Sequence, residues 1–206
     1  MILVNLLMVA VIGTVASLST RFFSPLELQD RFEEGQKLYA LGAYDKAIDR
    51  YEVILSTKSN AMINVEEVTV SVDEFILPVR VGATYQLGNT YNKLGLEKLQ
   101  RSQFLRAEKK EAEADARYEE ALTDLNKSRD HFRRLAVDDQ VEDRTRVMAQ
   151  YQMIQTSYQL MDYQQVIEEG DALLKNFPHS LYEASVYYDR AWSHFELGRY
   201  EEAIES

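Results

Sequence analysis

Leu41-Gly42-Ala43-Tyr44-Asp45-Lys46-Ala47-Ile48 returns near the end of the chain as Leu197-Gly198-Arg199-Tyr200-Glu201-Glu202-Ala203-Ile204. A weaker copy, Leu160-Met161-Asp162-Tyr163-Gln164-Gln165-Val166-Ile167, lies between them. Recurrence of one corner through a chain marks an internal repeat. Each copy sits where one amphipathic helix should end and a second begin. Gly42 and Gly198 suit a helix terminus, because glycine enters the left-handed conformation that closes a helix without a Cβ penalty. Ala47 and Ala203 are small enough for close helix packing. The expectation is a series of helical hairpins.

Composition agrees with that reading. Across 206 residues, 46% hydrophobic and 28% charged content is that of a globular protein, large enough for one domain or a short repeat array. Three prolines and eight glycines, among abundant Ala, Leu, Glu, Gln, Lys and Arg, favour helices over the many tight turns of an all-β fold. The fold class is therefore read as all-α. A formal net charge of −11 repels phosphate backbones, and Lys and Arg alternate with acidic residues rather than forming a stripe, so no nucleic-acid partner is expected. With no cysteine there is no disulfide, thiolate metal site or lipid-modified cysteine.

These corners resemble the tetratricopeptide-repeat family, whose unit is about 34 residues with a W-x2-L-G-x2-Y first helix and an A-x3-F second helix. The first-helix match is Thr84-x2-Leu87-Gly88-x2-Tyr91, followed by Leu94-Gly95, and the second-helix match is Ala47-x3-Tyr51. Pro178 stands where the family places its proline between units, and Asn176-Phe177-Pro178-His179-Ser180 is similar to the link of the envelope-associated bacterial branch. The resemblance implies a right-handed superhelical array in residues 25–206, with units at about 28–59, 77–136, 143–178 and an incomplete 184–206. It also implies a concave groove lined by first helices. The matching positions are Phe32, Gln36, Tyr39, Tyr85, Asn89, Asn92, Lys93, Tyr151, Gln155, Tyr158, Tyr188, Trp192 and Phe195. Aromatic and amide side chains of this kind bury flat apolar area while hydrogen-bonding an extended peptide or a partner helix, so the expected partners are other proteins. Some family members hold a terminal carboxylate with lysines and asparagines, but Tyr85 stands where the lysine before Asn89 would be, and that activity is not carried over.

Three segments depart from the pattern. About twenty extra residues separate Gly95 from Tyr118, taken as the next corner tyrosine; they carry strong helix formers and predict a lengthened helical arm with Leu99, Phe104 and Leu105 near its tip. Residues 59–80 include Val68-Thr69-Val70-Ser71-Val72, whose alternation predicts a short strand. With no partner in view it reads as an extended loop over the helices, or as an edge offered to another protein, while residues 71–74 offer a cap to the following helix. The sequence stops at Ser206, which leaves Ala203 and Ile204 without the rest of a packing face and implies truncation or completion by another chain.

Residues 2–18 are almost all apolar and carry no charge, enough at about 1.5 Å per residue for a helix near the lower limit for crossing a core of about 30 Å. Residues 1–24 are read first as a retained single-pass membrane anchor, with a cleaved secretory signal and a buried core helix as the alternatives. The localisation expected on this reading is the bacterial cell envelope. Arg21 hints at a cytoplasmic body, single-anchor proteins of this look often face the periplasm, and the side stays open.

No catalytic constellation emerges. His131, His179 and His194 are too far apart for a paired-histidine motif, and there is no phosphate loop or nucleophile elbow. The paired glutamates read as solvated faces. No enzyme activity, cofactor, metal or small-molecule substrate is expected. The sequence supports a membrane-tethered interaction scaffold or assembly subunit, with a permanent structural subunit of a larger membrane complex as the alternative.

Overall fold

The order of the fold starts with a capping box. In the computed structural model, which describes residues 23–60 and 63–206, the Ser24 hydroxyl accepts from the Glu27 N–H at 3.2 Å and the Glu27 carboxylate accepts from the Ser24 N–H at 2.7 Å. With Pro25 at the first position, these contacts start α1 (Pro25–Ala40). Then follow α2 (Tyr44–Ser56), a 3-10 turn (Val65–Glu67), β1 (Thr69–Val72), β2 (Phe75–Pro78), α3 (Val79–Ala107) and α4 (Glu111–Val137). The chain continues through α5 (Asp143–Gln159), α6 (Tyr163–Asn176), α7 (Glu183–Glu196) and α8 (Tyr200–Glu205). The described residues are mostly helical, and each helix packs chiefly on the helices before and after it.

Four helix pairs are closed by one repeated device. Gly42, Lys109, Met161 and Gly198 take φ of 71°, 61°, 58° and 72°. At each corner this residue donates its N–H to the carbonyl three residues back, and the next residue donates to the carbonyl five back: Gly42 to Tyr39 and Ala43 to Leu38, through to Gly198 to Phe195 and Arg199 to His194. Three corners are also clasped by an aromatic pair five residues apart, Tyr39–Tyr44, Tyr158–Tyr163 and Phe195–Tyr200, with ring centroids 5.4 to 5.7 Å apart. At the fourth, the ion pair Arg106–Glu111 at 3.5 Å takes that place. This corner ends the lengthened pair α3 and α4, ahead of the position expected from Tyr118.

Lys109 and Met161 hold a left-handed conformation that costs a residue with a Cβ roughly 1–2 kcal/mol. Met161→Gly should therefore stabilise the protein by about 1 kcal/mol, and Gly42→Ala, with open space around the added methyl, should destabilise it by about the same amount. Urea unfolding midpoints check both; shifts of the opposite sign would remove backbone conformation as the controlling factor.

The expected unpartnered strand has a partner. β1 pairs antiparallel with β2, Val70 opposite Leu77 and Val72 opposite Phe75, through a two-residue turn in which Asp73 has φ 51°. Val70, Val72 and Leu77 enter the core. The outer edge is not free either, because Gln29 donates to the Thr69 carbonyl at 2.9 Å and Gln36 to the Ser71 carbonyl at 3.0 Å. Side chains of α1 thus cover the edge that a visiting strand would need.

The described residues form two apolar cores. The larger gathers α1, α2, the β-hairpin, α3, α4 and the first half of α5, up to Met153; the smaller gathers Ile154, Val166, Leu173 and Val186 from α5, α6 and α7. Between α3 and α4 the backbones approach closely, with the Gly88 Cα beneath the Phe132 ring and Gly95 against Leu125. At the arm, Leu105 is buried between the helices and Leu99 is half-buried, so of the three expected contact residues Phe104 alone is exposed, under the Arg101 guanidinium at 5.0 Å.

The single-pass anchor is corrected: among the described residues no helix is long and apolar enough to cross a membrane. The apolar run at residues 2–18, on which that expectation stood, lies outside the described residues.

Candidate functional site

The thirteen groove candidates fall on α1, α3, α5 and α7, and side-chain contacts link α3, α5 and α7. Tyr85 of α3 lies within electrostatic reach of Gln152 of α5. Asn92 donates to Gln159 Oε1 at 2.6 Å and to Thr156 Oγ1 at 3.3 Å. Gln155 donates to the Asp189 carboxylate of α7 at 2.5 Å. Tyr151 stacks on Tyr182, which lies in the loop before α7, with centroids 4.4 Å apart.

Many of these residues are therefore engaged within the protein. Phe32 and Tyr85 belong to the larger core, because the β-hairpin closes over α1 and α3. Phe32 packs on Tyr51, and Tyr85 presents its edge to Phe132, each at 5.6 Å. Burial pushes the Tyr85 phenol up to about 12, with the fields of Tyr182 and Asp73 adding and Gln152 opposing. Tyr39, Tyr158 and Phe195 clasp corners. Gln36 holds β1, Asn89 donates to Gln86 within its own helix at 3.3 Å, and Asn92 and Gln155 tie helices together.

The accessible part lies on α3 and α7. Lys93 is exposed, Tyr188 is 68% and Trp192 41% exposed, and the free side of Phe195 continues the patch. Trp192 and Phe195 have centroids 5.5 Å apart. Beyond them Tyr200 and Ile204 of α8 are also exposed, so apolar surface runs to the end of the last helix pair.

Four contributors escaped the sequence reading. Asp189 and Gln152 directly follow Tyr188 and Tyr151, one position off the helical spacing used to choose the face. Tyr182 has no helical register. Asp73 occupies the β-turn that an unpartnered strand would lack. Burial raises the half-buried Asp189 carboxyl above its usual range, opposed by the Gln155 hydrogen bond. Burial also raises the Tyr151 phenol, with Asp189 adding and a Ser185 hydrogen bond opposing.

The histidines do not converge. His131 is stacked on Tyr91 at 5.6 Å, and burial, then the Arg134 charge, pushes its imidazole down to about 4. His179 sits at the surface beside Glu183 at 3.5 Å. Among the described residues no three His, Cys, Asp or Glu side chains are grouped to hold a metal ion. The candidate residues and their neighbours are instead flat rings, amides and carboxylates carried on helices.

Compared with known proteins, the chain matches no protein-family model and no curated protein.

Proposed function

We propose that this chain is a protein-interaction scaffold of the tetratricopeptide-repeat kind, without catalytic activity of its own, whose α1, α3, α5 and α7 face binds a segment of a partner protein. On this reading the four helix pairs stack as a right-handed array and the linked face is its concave side. The recurrent corner supports the family resemblance. The observation that carries the function is the accessible patch of Tyr188, Trp192 and Phe195 on that face. Large rings held on a helix supply binding area at low entropic cost and dominate interface energetics.

A display selection of random peptides against the full-length chain tests the proposal. Selected peptides should bind with micromolar affinity, equivalent to about −8 kcal/mol. Each should lose at least about ten-fold on Trp192→Ala combined with Tyr188→Ala, the loss expected for an aromatic anchor. Phe104→Ala, on the arm, should leave binding unchanged. A selection without binders, or binders indifferent to the α7 pair, would sink the reading.

A second reading has its own support. Tyr200 and Ile204, the latter 87% exposed, extend the apolar surface past the face, as in a subunit permanently covered by a neighbour. Aggregation of the chain expressed alone, relieved only by co-expressed partners, would favour this reading, whereas a monodisperse chain favours the scaffold.

A further inference from the structure

Three carboxylates stand near the tyrosines of the candidate face. Asp73, Asp189 and Glu196 have no cationic partner among the described residues. That is also true of Glu113, Glu119 and Glu168 on α4 and α6; Asp73 and Glu196 are exposed as these are, and Asp189 is half-buried. The face carboxylates lie among tyrosines. The field of Asp73 reaches Tyr39 and Tyr85, that of Asp189 reaches Tyr151 and Tyr158, and that of Glu196 reaches Tyr158 and Tyr163. Among the described residues cations near the face are sparse: Lys93 is exposed on α3, and Arg144 is held over the Phe75 ring at 4.2 Å.

A carboxylate in open solvent holds a lysine or arginine weakly. One beside a partly desolvated ring offers two attractions to the same cation, the formal charge and the negative face of the ring. A neutral apolar segment would instead desolvate these carboxylates without compensation. An acidic segment would be repelled by them and by the net charge of −11.

We infer that the face selects a basic segment of a partner protein, an extended stretch whose Lys or Arg side chains lie over the accessible tyrosine rings and pair with Asp73, Asp189 and Glu196. This inference rests on the scaffold reading and names the chemistry of its partner.

The single tryptophan of the chain, Trp192, stands on this face and reports directly. A peptide of alternating arginine and alanine, titrated into the full-length protein, should change Trp192 fluorescence saturably. The glutamate–alanine counterpart should leave it unchanged. Asp73→Asn, Asp189→Asn and Glu196→Gln together should weaken the arginine peptide at least about ten-fold, the effect of losing several charge pairs set beside aromatic rings. Glu113→Gln, Glu119→Gln and Glu168→Gln together, which change the net charge equally, should not. Equal weakening by both triples would reduce the effect to bulk attraction and overturn the inference, as would equal binding of the glutamate peptide. The display selection separates the two readings. Face-dependent binders without basic residues would overturn the inference and leave the scaffold standing, whereas no binders at all would remove both. Should the face triple fail to fold, Asp73→Asn with Glu196→Gln, both at exposed positions, is compared with Glu113→Gln and Glu119→Gln in its place, and equal weakening by the two pairs overturns the inference.

Discussion

Phe132→Ala is expected to lower the stability of the protein by about 3–5 kcal/mol, a third or more of the total for an ordinary domain. The ring is fully buried on α4, meets the edge of Tyr85 and lies over Gly88, where an added Cβ would come within 2.7 Å of it. Its removal opens a cavity between the two longest helices, and neither can collapse into it without breaking contacts elsewhere. Gly88→Ala alone should also destabilise, by about 1–3 kcal/mol, because the new methyl overlaps the ring. Combined with Phe132→Ala, however, the same methyl points into vacated space, so the double variant should be more stable than the sum of the singles predicts. Urea unfolding of the four proteins measures this, and strict additivity would show that ring and glycine are not in contact.

The second large effect concerns charge. Lys98→Met is expected to cost about 2–4 kcal/mol, more than Asp124→Asn, which should cost under about 1.5 kcal/mol. Lys98 Nζ stands 2.6 Å from an Asp124 carboxylate that is 4% exposed. Once the lysine is gone, that carboxylate keeps Lys127, at 3.8 Å and half in solvent, as its nearest cation. The converse loss is milder, since Lys98 retains Glu120 at 3.7 Å. Replacing both by Met and Leu should recover most of the loss, because the desolvation penalty leaves with the charges. A cycle in which Asp124→Asn proves the more damaging would refute this account.

How far the sequence could be read depends on whether its signals were local. The corners at Gly42 and Gly198 were legible because glycine, leucine and tyrosine recur at fixed spacing. The corner at Lys109 was not, since it reaches the same backbone conformation without glycine and replaces the aromatic clasp with Arg106 and Glu111. β2 was hidden for a related reason: Phe75, Ile76 and Leu77 before Pro78 read as the approach to a helix, and only pairing with β1 makes them a strand. Helical spacing placed the candidate residues on one face. It could not say that the β-hairpin would cover Phe32 and Tyr85, nor that Asn92 would be claimed by Gln159, 67 residues away. The apolar run at residues 2–18 carried a strong local pattern, yet no described helix can serve as a membrane span.

The division of the apolar interior at α5 has a consequence for how the molecule loses its order. Met153 faces one core and Ile154 the other, so among the described residues that helix alone belongs to both. Stretches on either side can open separately, each at a fraction of the cost of opening everything. The end bearing Tyr188 and Trp192 stands on the smaller core, which places the candidate binding patch on the portion of the chain that comes apart most readily. A partner bound there would raise the opening cost of that portion first.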